Sequence, residues 1–343
     1  MKTNKIVTLI LTLGLLVFTG CQDPIFSTIN KEVSLEKVTI SGDINSIVRY
    51  TYGGVEYLYL QNGGICRKVA SNSYYGAWSK VNAPSGVVIQ MAADDSTLYA
   101  LVATYYDNLS EYENTGSTKY VYASTDNAAS WTCIRSGISS ETAVRLFCTN
   151  TLDFTNRKAF INIGGTGYTC SSTSLTENSD ANGKYSCASL NGTLKFHDGY
   201  AAVTNETPTT DGTICYYSKG SNVYYENTTT TLGNYDYVNG TIYSLAYTAD
   251  TLLIGSSYGI AHVTHDSTGA LASSTSSFST NAESTLSSQY EVNALLTLDP
   301  SLSETGGVHY GSLTFSGTGS NSAQFNHIGL WAYYPARGNW NCE

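Results

Sequence analysis

The sequence predicts an all-β protein in which strands recur in groups of four, and three observations support this prediction. Tyrosine, which is favoured in strands, occurs 28 times. No long stretch has helical periodicity. Short apolar segments recur roughly every 50 residues, a period typical of repeat architectures, and they begin at Ile47, Val88, Ala143, Thr193, Ser244 and Ala294. The repeats therefore predict a β-propeller of four-stranded blades, with six blades, or with seven if one unit contains two.

Within each unit the first segment is followed by further strand-like runs. In the first unit IVRY is followed by EYLYLQN, GICRKVA and the tryptophan-containing run AWSKV. The polar segment 107–117 lengthens the second unit and fits a long hairpin loop. Either residues 33–40 or residues 339–343 supply the outer strand that joins the last blade to the first. The propeller domain is expected to span residues 34–343.

A motif follows the third strand of the second unit. Residues 124–131 read STDNAASW and place Ser124, Asp126 and Trp131 in a pattern that resembles the Asp box, Ser-x-Asp-x-Gly-x-Thr-Trp, of many propeller blades. The resemblance implies a turn between the third and fourth strands, in which Asp126 accepts hydrogen bonds from backbone amides and Trp131 packs between blades. Ala128 stands where the family has glycine. The motif indicates a fold and not a chemistry.

The amino-terminal segment has the three parts of a secretory signal. Residues 1–5 include two lysines, residues 6–18 carry no charge, and Thr19-Gly20 precedes Cys21. The apolar run is shorter than the roughly 20 residues that span a bilayer. An uncleaved anchor helix is the alternative. Because the rest of the sequence has no apolar run of spanning length, we expect the mature chain to lie on a membrane without crossing it.

Residues 17–21, VFTGC, resemble the bacterial lipobox, in which an apolar residue and two small residues precede a cysteine. The resemblance implies cleavage before Cys21 and attachment of fatty acyl chains, such as palmitate, at that residue. Phe18 replaces the leucine that the family usually has, a relaxed form known in spirochaetes. This divides the chain into a signal peptide (1–20), a lipidated tether (21–33) and the propeller domain. Gln22, in place of an aspartate, favours the outer membrane, on its periplasmic or surface face. An ordinary secretory signal is the alternative.

Charge and composition restrict the classes of partner. The chain has 27 acidic and 17 basic side chains, a formal net charge of −10. Such a balance repels phosphate backbones, so no nucleic-acid partner is expected. Hydrophobic residues make up 41% of the chain, which is enough to bury a core.

Cysteine and histidine spacings give no reason to expect a metal or another cofactor. The chain has eight cysteines, no two of them are spaced as CxxC, and His262 and His265 point to opposite faces of a strand. Apart from Cys21 an odd number of cysteines remains, so at least one thiol stays free or pairs outside the chain. The candidate disulfide joins Cys170 to Cys187 across a polar hairpin loop.

Equivalent positions of the repeated first segments carry cations. Arg49, Arg145 and Lys195 occupy one column of the aligned units, and Gln90 lies in the same column. In a propeller this column faces the central channel, where converging cations can bind an anion. These three residues are therefore the candidate anion-binding residues. The alternative is that they line a hydrated channel or pair with neighbouring blades.

Tyrosine doublets are the surface feature that best fits partner binding. Because consecutive residues face opposite sides of a strand, one tyrosine can pack while the other contacts a protein or a sugar. The alternative is that most of them pack between blades. The doublets begin at Tyr74, Tyr105, Tyr216, Tyr224 and Tyr333.

Two functions remain open at this stage. Asp-box propellers include sialidases, whose sites combine three arginines with a tyrosine–glutamate pair and an acid–base aspartate. The arginine-isoleucine-proline signature of that family is absent here, and no carboxylate falls in the cationic column, so we assign no catalytic residue. The sequence favours a non-catalytic, lipid-anchored envelope protein that binds or scaffolds a protein or glycan partner. An envelope glycan hydrolase of the sialidase-like propeller type is the alternative.

Overall fold

The computed structural model describes much of the unit Val38–Glu343 and none of the unit Met1–Lys37. The predicted signal peptide, the tether with Cys21, and residues 107–116 of the predicted loop all lie outside the described residues. Within the described part, no helix combines the length and the apolar character that a membrane crossing requires. The described residues are 40–70, 77–105, 117–149, 157–205, 213–227, 230–238, 240–247, 251–275, 290–298, 308–315, 328–334 and 339–343.

The described backbone forms antiparallel sheets, which we letter A to G in chain order. Sheet A contains β1 (Ile47–Tyr52), β2 (Val55–Gln61), β3 (Ile65–Val69) and β4 (Ser79–Lys80). Sheet B contains β5 (Val87–Ala93), β6 (Leu98–Ala103), β7 (Lys119–Ser124) and β8 (Thr132–Ile138). Sheet C contains β9 (Val144–Cys148), β10 (Ala159–Ile163), β11 (Thr166–Cys170) and β12 (Leu175–Glu177).

The second half of the chain forms sheets of unequal size. Among the described residues, sheet D consists of β13 (Ser186–Leu190) and β14 (Thr193–His197). Sheet E contains β15 (Ala202–Thr204), β16 (Cys215–Lys219), β17 (Asn222–Glu226) and β18 (Thr231–Asp236). Sheet F contains β19 (Ile242–Tyr247), β20 (Thr251–Ser256) and β21 (Gly259–Thr264). Sheet G contains β22 (Tyr290–Glu291), β23 (Leu295–Leu298), β24 (Val308–Phe315), β25 (Gly329–Tyr334) and β26 (Asn339–Cys342).

The sheets surround a common axis, and the protein is a β-propeller. The innermost strands contact one another in the order β1, β5, β9, β13, β15, β19 and β23, and β23 contacts β1. In the described part of the chain, five sheets have four or more strands, namely A, B, C, E and G. The predicted number of four-stranded blades, six or seven, is therefore wrong. Sheets D and F, with two and three strands, complete the ring.

The error arose in the fourth sequence unit. The segment TLKF at Thr193 is β14, the second strand of sheet D, and not an innermost strand. The next strand-like run of this unit, GYAAVTN at residues 199–205, follows TLKF and so would be a second strand, but it contains β15, the innermost strand of sheet E. Because β15 has only three residues, Ala202–Thr204, its apolar pattern is too short to mark a new sheet.

Burial follows the position of each strand within its sheet. All six residues of β6 (LYALVA) are buried, because this strand has a neighbouring strand on each side and a neighbouring sheet on each face. The outermost strand β8 (TCIRSGI) is mostly exposed. Apolar clusters fill the space between adjacent sheets, as Ile89, Leu101 and Ile161 do between sheets B and C. Burying one such side chain contributes about 1.5–3 kcal/mol.

The ring is closed by pairing between distant parts of the chain. The backbone amide of Ile40 donates to the Glu343 carbonyl at 2.7 Å, and the amide of Leu330 donates to the Ile40 carbonyl at 3.0 Å. Of the two segments predicted to supply the closing strand, residues 339–342 form β26 at the outer edge of sheet G. The other segment lies outside the described residues except for Ile40. The Glu343 carboxylate also accepts hydrogen bonds from Lys68 at 3.2 Å and Trp78 at 3.1 Å.

The predicted disulfide is not formed. Cys170 and Cys187 are both free and buried. They do not face each other across one hairpin, because Cys170 ends the third strand of sheet C and Cys187 lies on the innermost strand of sheet D. The prediction assumed that both belonged to the same unit, so the misplaced boundary of that unit explains this error as well.

Candidate binding site in the central channel

The innermost strands enclose a cavity of about 130 Å³ along the propeller axis. Its wall combines apolar residues with polar and cationic side chains. Two of the candidate anion-binding residues, Arg49 on β1 and Arg145 on β9, contribute to the wall. Arg157, Tyr200 and Tyr243 also line the cavity, and these residues were not identified from the sequence.

Arg49 is bound by the carboxylate of Glu56, a residue that the repeat pattern did not place in the channel. Its Nε donates to Glu56 Oε1 at 2.5 Å and its Nη2 donates to Glu56 Oε2 at 3.1 Å. Glu56 lies on β2, directly opposite Thr51, so it faces the same side of sheet A as Arg49. Such a two-pronged pairing fixes both groups and largely cancels their charges. Arg49 is therefore neutralised within its own blade.

Arg157, which lies just before β10 of sheet C, also contacts the ion pair of Arg49 and Glu56. Its Nη1 donates to the Arg49 carbonyl at 3.0 Å, and its Nη2 lies 3.8 Å from Glu56 Oε1. Its own backbone amide donates to Asp95 at 2.9 Å. Burial lowers the pKa of Arg157, and the neighbouring Arg49 lowers it further. Arg157 precedes β10 and lies outside every repeated segment, so strand patterns carried no signal for it.

Arg145 lies among aromatic rings. Its Nη2 donates to the Tyr200 carbonyl at 3.0 Å, and its guanidinium carbon lies 4.9 Å from the centre of the Tyr200 ring. The ring of Tyr200 contacts Tyr185, with centroids 5.6 Å apart, and Tyr243, with centroids 6.0 Å apart. These three half-buried tyrosines and Arg145 form what we call the tyrosine cluster. Rings and a cation arranged in this way offer apolar faces together with hydrogen-bond donors.

Lys195 and Gln90 depart from the roles expected for the cationic column. Lys195 lies on β14, so its predicted position on an innermost strand is wrong, for the reason given for the fourth unit. Gln90 does lie on an innermost strand, β5, but its Oε1 accepts a hydrogen bond from the Leu146 amide at 2.8 Å. Gln90 therefore links β5 to β9 and does not extend into the channel as a binding group.

The turn after β7 is held by hydrogen bonds to the Asp126 carboxylate. Asp126 accepts from the Ser130 amide at 2.9 Å, the Ser130 hydroxyl at 2.5 Å and the Ser124 hydroxyl at 2.8 Å. The bond from the Ser130 hydroxyl is the main cause that lowers the pKa of Asp126 to about 2. Ala128 has a φ of 64°, in the left-handed region where the family has glycine. Trp131 packs against a cluster from sheets A and B and donates to the Asn82 carbonyl at 3.1 Å.

The described tyrosine doublets divide between core and surface. Tyr216 is fully buried and Tyr225 nearly so, whereas Tyr217 and Tyr224 are half-buried and stack with ring centroids 5.4 Å apart. Tyr105 is exposed. Tyr74 and Tyr75 lie outside the described residues.

Comparison with known proteins gives no close relative. No family model matches the chain, and no curated protein matches it. The SapL1 lectin in complex with alpha methyl fucoside is similar to it at 14% identity, with a TM-score of 0.43, over 90% of this chain and 97% of that chain. Sqt1 of Saccharomyces cerevisiae is similar at 8% identity, with a TM-score of 0.45, over 87% and 97% of the two chains. A chain of the nidogen/laminin complex is similar at 12% identity, with a TM-score of 0.44, over 84% and 92%. Similarities at this level carry no argument about function.

Proposed function

We propose that this protein is a lipid-anchored propeller of the bacterial cell envelope that binds a glycan or protein partner without converting it chemically. The observation that carries the binding part is the tyrosine cluster, in which the guanidinium of Arg145 lies over the ring of Tyr200 and that ring contacts Tyr185 and Tyr243. The lipobox-like segment that ends at Cys21 carries the anchoring part.

Of the two partner classes, a glycan fits the tyrosine cluster better. Sugar rings have apolar faces that pack on aromatic rings, and their hydroxyl groups accept hydrogen bonds from a guanidinium. The cavity volume of about 130 Å³ is well below the roughly 300–1,000 Å³ of sites for drug-sized ligands. It therefore suits the end of a chain, such as one terminal sugar or one side chain, and not an extended polymer.

The alternative is a glycan hydrolase, and the state of Glu56 weighs against it. Hydrolases of glycosides use two carboxyl groups that flank the scissile bond. Both oxygens of Glu56 are bound by Arg49, which leaves this carboxylate poorly placed to donate a proton to a substrate. Cleavage of a bound glycan by the purified protein would favour the hydrolase over the binding protein.

The first prediction concerns the ring of Tyr200. In Tyr200→Ala the backbone carbonyl that Arg145 contacts is kept, while the aromatic face is removed. Loss of a central aromatic contact costs on the order of 2 kcal/mol, so we expect the affinity for the glycan to fall at least about tenfold. Glycan-array screening followed by calorimetric titration measures this change.

Tyr258→Ala is the matched control for Tyr200→Ala. Tyr258 lies in the turn between β20 and β21, and 55% of its surface is exposed. We expect its replacement to leave the affinity unchanged. Equal affinities of Tyr200→Ala and the natural protein, at equal thermal stability, would show that the tyrosine cluster is not the binding site.

The second prediction concerns Cys21. Cells that express the protein are grown with labelled palmitate. The label should then be attached to the protein, and the protein should remain in the membrane fraction. Cys21→Ala should abolish the label and release the protein, because two or three acyl chains supply a stable anchor. Cys133→Ala removes an exposed thiol of the propeller and should change neither result. Retention of the label in Cys21→Ala would refute the anchor.

A further inference from the structure

A cluster of three chemically different side chains lies between sheets D and E. His197 ends β14 of sheet D, while Cys215 begins β16 and Glu226 ends β17 of sheet E. Cys215 and Glu226 are direct partners in the antiparallel pairing, so they face the same side of sheet E. None of these three described residues lines the channel cavity, and the proposed binding function does not use them.

The donor atoms of this cluster converge on one point. His197 Nε2 lies 3.6 Å from Cys215 Sγ and 4.0 Å from Glu226 Oε1. All three donor atoms lie within 4.8 Å of one another. Ligands of tetrahedral zinc, with bonds of about 2.0–2.3 Å, lie roughly 3.5 Å from one another. The donors therefore need only a small contraction to share one ion.

This geometry does not suit a proton relay. In a relay from cysteine through histidine to a carboxylate, the two imidazole nitrogens contact different partners. Here a single nitrogen, Nε2, faces both the thiol and the carboxylate. The ring of His197 is held in this orientation by stacking on Tyr217, with centroids 3.9 Å apart and planes 14° apart.

Burial shifts all three groups of the cluster toward their neutral forms. It lowers the pKa of His197 to about 4, so the imidazole is neutral at physiological pH and its lone pair is available. The contact with Glu226 is therefore not an ion pair under these conditions. Burial also raises the pKa values of Cys215 and Glu226, because both anions lack solvation there. Lys195 is the cation whose charge acts on Glu226.

We propose that His197 Nε2, Cys215 Sγ and a carboxylate oxygen of Glu226 bind a divalent transition-metal ion, with zinc as the preferred ion. Thiolate, imidazole and carboxylate donors together suit zinc, and one of four tetrahedral positions remains for water. Binding replaces the proton of the Cys215 thiol, which is released to solvent, and no electrons are transferred. The two anionic donors then balance the charge of the ion. The Glu226 side chain is 16% exposed and gives the ion a path from solvent.

Cobalt binding tests this proposal directly. The full chain, without a polyhistidine tag, is freed of metal under reducing conditions and titrated with Co²⁺. We expect one equivalent to produce thiolate-to-cobalt charge-transfer absorption in the near ultraviolet and intense visible bands of a four-coordinate ion, and Zn²⁺ to displace it. Because an ion that binds only the folded state stabilises it, Zn²⁺ should also raise the thermal unfolding midpoint.

Two substitutions and their controls locate the ion. Cys215→Ser should abolish the charge-transfer band, and Glu226→Gln should lower the Zn²⁺ affinity by more than about 100-fold, beyond the roughly 10–100-fold effect of an outer contact. Cys170→Ser, at another buried thiol, and Glu177→Gln, at an exposed carboxylate, should match the natural protein. Absence of the band in the natural protein, or its persistence in Cys215→Ser, would overturn the proposal. Because Glu226→Gln alters a partly exposed group, it tests the site even if Cys215→Ser does not fold.

Discussion

Glu56→Gln should lower the free energy of unfolding by about 3 kcal/mol, because it removes the charge that offsets two buried arginines. The side chains of Arg49 and Arg157 are only 9% and 5% exposed, and both lie within 4 Å of the Glu56 carboxylate. Glutamine keeps the size of the side chain but not its charge. Removal of one partner from a buried ionic group costs about 3–5 kcal/mol. The lower end applies here because Glu56 is 21% exposed. Chemical denaturation measures the change.

Asp198→Asn is the control, because it removes a carboxylate from an exposed ion pair. Asp198 lies 3.5 Å from Lys219, and these side chains are 48% and 60% exposed. Exposed pairs contribute about 0–1 kcal/mol, so the expected loss is small. Adding Arg49→Gln to Glu56→Gln should recover part of the stability, since fewer cations then remain in the channel wall. Similar losses in Glu56→Gln and Asp198→Asn would show that the channel arginines do not depend on this carboxylate.

Gly199→Ala should destabilise the protein by about 3 kcal/mol or more. Overpacking usually costs about 1–3 kcal/mol, and the cost is at the upper end or above it here because the contacted atom cannot move. A Cβ at position 199 would overlap the backbone carbonyl oxygen of Ser218 and lie 2.7 Å from the Ser218 hydroxyl oxygen. Ser218 cannot move away easily, because its hydroxyl accepts from the Ala201 amide at 3.0 Å and its amide donates to the Ala201 carbonyl at 2.9 Å. The substitution therefore pushes the chain that enters β15 away from β16, next to the pairing of Ala201 with Ser218.

Gly64→Ala is the matched control for Gly199→Ala. A Cβ at position 64 would meet no heavy atom closer than Asn62 Oδ1, at 4.0 Å. We expect a change of less than about 1 kcal/mol. Because Gly199 directly precedes Tyr200, the alanine variant should also lose glycan affinity, provided that the tyrosine cluster binds the glycan. Equal stabilities of the two variants would contradict the close approach of Gly199 and Ser218.

The sequence predicted most of the sheets because their strands are long enough to show an apolar pattern. β1, β5, β9, β19 and β23 lie where five of the six repeated segments were found. The fourth segment failed because β15 is short and β13–β14 form a sheet of two strands. That single error placed Lys195 in the channel and paired Cys170 with Cys187.

The channel site was less predictable, because its contacts join residues that are far apart in the sequence and share no repeat or strand pattern. Arg157 reaches the carbonyl of Arg49 across 108 residues of sequence. Glu56 meets Arg49 only through the diagonal register of β1 and β2. Likewise His197, Cys215 and Glu226 come from strands of two sheets, and their spacing matches no metal motif. The sequence placed Arg145 on an innermost strand, but its aromatic contact comes from Tyr200, which lies just before the strand β15 that the fourth unit misassigned.

The pairing of Ile40 with Leu330 and Glu343 has a consequence for the timing of folding. Closing a loop of about 300 residues costs only about 2 kcal/mol more than closing one of about 30, because the entropy grows with the logarithm of length. The cost of closure is therefore modest, but the order of events is constrained. A chain in which this pairing has not formed is an open arc, and its sheets A and G expose the apolar side chains that pack together in the closed ring. Such an arc is vulnerable to association with other chains through this apolar surface, and the pairing of Ile40 with Leu330 and Glu343 removes that risk.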